Sequence, residues 1–269
     1  MVLPPFPESY WLTSESLPNF PKLTQDIKAD VAIVGAGISG ITTAYLLSKQ
    51  GLKVAIVEAG NILNGTTGHT TAKITAQHDL IYDEFLSHFG REQTRLYYEA
   101  NREAMQFIKQ TVRELRIDCD FAEEDAYIYT NSDKYAAKLT AELAAYEKLG
   151  IPGAYVEQTP LPFRTQAAIV MHDQARFNPV PYLKTLIRQV TGQGGQIYEH
   201  TTAVSVEKGN PPAVVTSEGH KIVCSHIVSC SHFPFQDGWG FYFARMYAER
   251  SYVLGVKTEK AYPGGMYIS

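Results

Sequence analysis

The first clear change of hydrophobic period comes at residue 30. DVAIVGAG (30–37) is a short β-branched run bounded by glycines, the pattern of a buried strand. Behind it Ile41, Ala44, Tyr45, Leu46 and Leu47 recur at helical spacing, and Gly51 stands where a C-terminal glycine cap is expected. KVAIVEAG (53–60) repeats the buried-strand pattern. Strand, helix and strand within about thirty residues predict a βαβ unit and hence a parallel sheet. From Asp79 to Arg116 the period is helical with a break at Gly90, and CDFAEEDAYIYT (119–130) alternates like a half-exposed strand. A further amphipathic helix ends at Gly150. AAIVMHDQARFNP then leads into the helix PYLKTLIRQVTGQG, and the stretch from Gln196 to Ser231 predicts about three strands. Residues 1–27 read as an irregular lead-in, and 247–269 have strand character.

Composition changes this picture little. The 269 residues are 45% hydrophobic and 19% charged, ordinary for a globular chain, and the net charge of −4 argues against a polyanionic partner such as nucleic acid. Three cysteines are too few for a disulfide framework, which favours a reducing compartment. The N-terminus carries five prolines in its first 23 residues and no apolar signal core, and the apolar run Val31–Ile41 is too short to span a bilayer. A cytoplasmic protein without a membrane segment is the expectation.

The chemistry begins at Gly35-Ala36-Gly37-Ile38-Ser39-Gly40, a G-x-G-x-x-G. Alone the pattern is weak, but here it lies at a strand-to-helix turn. Gly35 permits the tight turn, Gly37 lets the backbone approach a pyrophosphate, and Gly40 lets helix and sheet pack closely. The helix start adds unpaired N–H groups, those of Ile38 and Ser39 among them, and a partial positive charge. Glu58, with Ala59 beside it, ends the second strand 23 positions after Gly35 (58 − 35), where a carboxylate accepts hydrogen bonds from an adenosine ribose. A dinucleotide site is the expectation, with FAD and NAD both open on these residues alone.

The next segment separates the two cofactors by resemblance. NILNGTTGHTTAKIT (61–75) resembles the second flavin-contacting stretch of the D-amino-acid-oxidase-like family, which implies that Gly65, Thr66, Thr67, His69 and Lys73 lie at a flavin. FNPVPYLKTLIRQVTGQGGQIYEHTTAVSV (177–206) is similar to that family's helix and strand whose backbone contacts adenine, here near Val204. IVSCSHFPF (227–235) is similar to the turn beside the FAD phosphates, which implies Cys230 and Ser231. More closely, the chain resembles bacterial FAD oxidoreductases that carry a C-terminal Rieske domain. The resemblance implies an α/β fold: a discontinuous Rossmann-type FAD-binding domain (28–114 and 160–235), a smaller, incomplete α+β substrate domain (115–159 and 236–269) and the lead-in 1–27. The family's final flavin motif and the Rieske ligands find no match here. The expectation is therefore a chain that stops short and binds FAD weakly or loses it, with any [2Fe–2S] centre in the missing part.

Three features keep more than one reading. Cys224, His226, Cys230 and His232 form two C-x-H boxes, but along one extended run they stretch over about 26 Å, too far for one ion, so no metal site is assigned. His69 falls where the dimethylglycine dehydrogenase branch links its flavin covalently, with Gly68 in place of that branch's tryptophan; covalent, neighbouring and structural roles stay open. Lys73 is either a cation beside the isoalloxazine or a solvated helix-end lysine. The implied activity is oxidation of an amine or amino-acid-like substrate by hydride transfer to flavin N5, with electrons passing to an acceptor or a Rieske domain. Catalytic residues are unassigned, with Arg245, Tyr247 and Tyr252 as candidates to bind substrate. Self-association of this chain through an exposed edge around Tyr252 to Tyr267 is expected. The alternatives are a non-catalytic nucleotide-binding fragment and an NAD-dependent dehydrogenase.

Overall fold

The computed structural model describes residues 8–236, 240–247, 249 and 251–269. Helix α1 (Tyr10–Ser14) and strand β1 (Ile27–Lys28) precede β2 (Val31–Val34), α2 (Ile38–Lys49) and β3 (Val54–Val57). There follow β4 (Lys73–Ile74), α3 (Tyr82–Glu114), β5 (Ala122–Thr130), α4 (Asp133–Leu149), β6 (Gly153–Val156) and β7 (Ala167–Arg176). The chain continues with α5 (Pro179–Gly192), β8 (Gln196–Tyr198), β9 (Ala203–Glu207), β10 (Ala213–Thr216), β11 (Lys221–Val223), β12 (His226–Ser229) and β13 (Met266–Ile268). Two compact units result, one of Met1–Thr71 with Pro179–Gly255, the other of Ala72–Asn178 with Val256–Ser269.

In the first unit β2 and β3 are buried at every position, as runs of Val, Ala and Ile predict for a sheet covered on both faces. They pair in parallel, Val31 opposite Val54, within a sheet of order β12-β2-β3-β8. Counted by appearance that is 4-1-2-3, the arrangement of a Rossmann-type half. Alternation along each strand divides the work. Ala32, Val34, Ala55 and Val57 share one core with Val214 and Ile222 of a second sheet, of order β1-β11-β10-β9. Ile33 and Ile56, fully buried, belong to the opposite face, and α2 and α5 pack with this sheet and with each other. Gly195 lets β8 close in, since a Cβ there would lie 2.5 Å from Val190 Cγ1 and 3.0 Å from Val54 Cγ2.

The lead-in is not irregular. It holds α1, and β1 pairs in parallel with β11. The buried carboxylate of Glu199 accepts the N–H groups of both Phe20 and Ile62 at 2.7 Å, stitching the lead-in to the segment after β3. A five-residue helix and a two-residue strand are too short to carry a periodic signal. Between Gln196 and Ser231 there are five strands where the sequence predicts about three, because turns at 199–202, 208–212, 217–220 and 224–225 cut the run.

The second unit is built on the long antiparallel pair β5–β7, with β4 and β6 also on β7 and β13 in parallel on β5. Helices α3 and α4 pack together, and Glu142 of α4, fully buried, accepts the N–H groups of Tyr82 and Asp83 at the start of α3. Burial raises the Glu142 pKa above the usual carboxylate value while those amides oppose the shift. The helical break at Gly90 is present (φ 75°, ψ 174°). Residues 72–114 and 160–178 thus belong to the second unit and 236–255 to the first, so the division falls at 71/72, 178/179 and 255/256 rather than at the expected 114/115, 159/160 and 235/236. Of the strand expected over 247–269, Met266–Ile268 is the part that forms among the described residues. Tyr252, Leu254 and Val256 are 88%, 83% and 79% exposed.

Candidate functional site

The C-terminal ends of β2, β3 and β12 present three turns to one another. The chain leaves β2 through Gly35, whose φ of +106° is open to glycine and strained for other residues. Its N–H donates to the Val57 carbonyl at 2.8 Å, tying the turn to β3. A Cβ on Gly35 would stand 2.4 Å from the Cys230 carbonyl oxygen, and one on Gly40 would stand 1.9 Å from the Gly35 carbonyl. Both positions therefore exclude a side chain. Gly37 is the N-cap of α2, and a Cβ there would lie 3.0 Å from Thr67 Oγ1.

Glu58 lies directly under this turn. Its Oε2 accepts the Ala36 N–H at 2.9 Å and its Oε1 accepts the Gly60 N–H at 3.0 Å. Thr67 reaches the helix start, where its Oγ1 accepts the Ile38 N–H at 2.9 Å. Of the first-turn amides, those of Ser39 and Gly40 have no partner among the described residues. From the other side of β2, Cys230 donates its N–H to the Val34 carbonyl at 2.7 Å. Burial raises its thiol pKa, while a hydrogen bond with Thr43 opposes the shift. Ser231 donates its hydroxyl to the Phe233 carbonyl at 2.6 Å and lies 3.3 Å from the Ser229 hydroxyl.

The structure thus brings Gly35, Gly37, Ile38, Ser39, Gly40, Glu58, Thr67, Cys230 and Ser231 to one locus. Ala59 is exposed beside Glu58, and Gly65 precedes the short 3₁₀ turn Thr66–His69. Thr66 and His69 are exposed, with His69 Nδ1 3.0 Å from the Gly65 carbonyl. Since a carbonyl can only accept, Nδ1 is the donor and Nε2 of the neutral ring is left with its lone pair. Val204 sits on β9, in the other sheet of this unit, and is 47% exposed. Lys73 belongs to the second unit, on β4 opposite Arg176, where burial lowers its pKa. Arg245, Tyr247 and Tyr252 lie on an exposed stretch, the two tyrosines 88% exposed. Of the C-x-H boxes, Cys224 is buried in the core with Ala32 and Val34, whereas Cys230 packs on Gly35.

Sequence reasoning missed the residues that hold the Thr66–His69 turn from outside. Ser9 donates its hydroxyl to the Gly68 carbonyl, and Trp11 Nε1 donates to the Thr70 carbonyl at 2.7 Å. A Cβ on Gly68 would meet the Leu63 carbonyl at 2.6 Å and Leu12 Cδ1 at 2.9 Å, so the tryptophan of the covalent branch has no room here. No motif marks such contacts across 59 residues of sequence. The one available signal was the adjacent aromatic pair Tyr10 and Trp11 in an otherwise proline-rich lead-in.

Comparison with known proteins agrees with this arrangement. A protein of Bacillus subtilis (strain 168) named "Putative Rieske 2Fe-2S iron-sulfur protein YhfW" is 52% identical over 263 residues, 98% of this chain and 52% of its own length. Gamma-glutamylputrescine oxidoreductase of Escherichia coli (strain K12) is 22% identical over 74% of this chain and 48% of its own. The chain thus spans about half the length of these relatives. The crystal structure of glycine oxidase from Geobacillus kaustophilus shares the fold with a TM-score of 0.63 at 19% identity, over 76% of this chain and 55% of that one. Residues 30–265 match the family described as FAD dependent oxidoreductase (DAO), and this chain belongs to that family.

Proposed function

We propose that this chain builds the adenosine-diphosphate half of an FAD site in an oxidoreductase that acts on an amine or amino-acid-like substrate. The observation that carries the reading is the convergence of the Gly35–Gly40 turn, Glu58, Thr67 and Cys230 at the ends of one parallel sheet. The residues fit the group. Bare backbone at Gly37 admits a pyrophosphate, and the Ser39 and Gly40 amides at a helix N-terminus attract it. Each Glu58 oxygen takes one backbone N–H and keeps capacity for a ribose hydroxyl. Thr67 orients the first amide of α2, and Ser231 offers a hydroxyl on the far side of the turn. His69 is assigned as a non-covalent neighbour of the flavin ring, because Gly68 leaves no space for the packing residue of the covalent branch.

Bound there, FAD would supply hydride acceptance from the substrate carbon, which no side chain provides. An iron–sulfur partner as electron acceptor is supported by the Rieske name of the 52%-identical relative. A cytoplasmic setting belongs to the same reading: among the described residues no helix is long and apolar enough to cross a membrane, and all three cysteines are free. The test is equilibrium dialysis of the purified protein against FAD, read by the visible spectrum, which detects weak as well as tight binding. Saturable excess flavin on the protein side is expected; no excess at any loading would overturn the reading.

A further inference from the structure

The short helix α1 buries none of its five residues, so it adds nothing to a core. Its polar contacts point instead at one target. The Ser9 hydroxyl accepts the Trp11 N–H at 3.2 Å as the N-cap of α1 and donates to the Gly68 carbonyl, using donor and acceptor together. Trp11 Nε1 holds the Thr70 carbonyl at 2.7 Å, and Leu12 fills the space over Gly68. The far end is pinned by Glu15, which pairs with Lys184 of α5 at 2.7 Å, and α5 also packs against the Thr66–His69 turn. The turn is thereby held between α1 and α5, while its Thr67 holds the Ile38 amide. A five-residue helix is marginal in water by itself, so helix and turn depend on each other for their geometry.

We infer that residues Ser9–Glu15 are a strap that positions the Gly65–Thr70 turn for the cofactor, with Ser9, Trp11 and Leu12 as positioning residues. The inference rests on the FAD reading above. It makes the lead-in part of the cofactor site although none of its residues occupies the dinucleotide fingerprint. Loss of the strap frees Thr67 to leave Ile38, which removes one wall of the pyrophosphate cradle without touching the sheet.

The experiment compares the parent protein with Trp11→Phe, which keeps an aromatic ring of smaller size and removes the Nε1–H donor, and with Ser9→Ala and Ser9→Thr. Backbone hydrogen exchange over residues 63–71 is measured without nucleotide, and the FAD dissociation constant by titration. Trp11→Phe and Ser9→Ala should each speed exchange of 63–71 and weaken FAD about three- to ten-fold, the range of one net hydrogen bond. The urea midpoint should stay in place, and Ser9→Thr should restore both readouts. Unchanged exchange in both variants would overturn the strap, and faster exchange with FAD affinity unchanged would overturn its positioning role. If the parent binds no FAD, the function proposed above falls, while exchange still decides whether the strap exists.

Discussion

Two turns meet at the start of α2, and their glycines are there for different reasons. In Gly35–Gly40 the constraint comes from the parallel sheet: Gly35 sits against the Cys230 carbonyl beyond β12, Gly40 against the Gly35 carbonyl, and Glu58, one strand away, takes the Ala36 amide. In Gly65–Thr70 it comes in part from the lead-in: Gly68 is fenced by the nearby Leu63 carbonyl and by Leu12, and its carbonyl is held by Ser9. The first turn is written in a spacing and is seated on the sheet that the same motif begins. The second is an unremarkable Gly–Thr run whose shape depends on chain arriving from elsewhere. The proposed dinucleotide site thus combines a motif seated on its own sheet with a wall that borrows its geometry from the lead-in.

Substitutions can break that contrast, and the largest effect is expected at Gly35. Gly35→Ala adds a Cβ 2.4 Å from backbone and a side chain at φ +106°, so it should lower unfolding free energy by about 2–5 kcal/mol in urea titration, from about 1–3 for overpacking and about 1–2 for the left-handed backbone. Gly65→Ala, with no atom within 4 Å and a negative φ of −81°, should stay within about 0.5 kcal/mol of the parent. Gly68→Ala falls between, at about 1–3 kcal/mol, and Leu12→Ala should relieve only part of it because the Leu63 carbonyl remains.

Glu58→Gln sharpens the sheet-borne side of the comparison. The amide offers one acceptor where the carboxylate has two, so either Ala36 or Gly60 loses its partner. A loss of about 1–3 kcal/mol in stability is expected by denaturation. The smallest effect concerns Cys230, whose pKa burial raises above that of an ordinary thiol. Because the fold holds the proton on, alkylation should be slow near neutral pH and speed up as pH rises beyond the ordinary thiol range. Bound FAD should slow it further, and equal rates with and without FAD would place Cys230 away from the ligand.

How much of this was legible follows the same division. β2, the glycine turn, β3 and Glu58 could be read directly, since periodicity, spacing and phosphate chemistry all point to one βαβ unit. Cys230 and Ser231 came only through resemblance, yet the structure sets them on Gly35. The division into units differs from the expected one because the sequence does not show that α3 packs on α4, where Glu142 accepts the first amides of α3. Nor could α1 be seen, because a five-residue helix with no buried face leaves no period to detect.

The central claim is that the Gly35–Gly40 turn and Glu58 bind the adenosine-diphosphate part of FAD. The most direct test titrates FAD into the parent protein and into Glu58→Gln, with ADP as competitor, reading flavin fluorescence. The account predicts saturable binding that ADP displaces, weakened about ten-fold or more by Glu58→Gln, consistent with loss of a hydrogen bond to a charged group. FAD binding that ADP cannot displace, or that Glu58→Gln leaves unchanged, would contradict it.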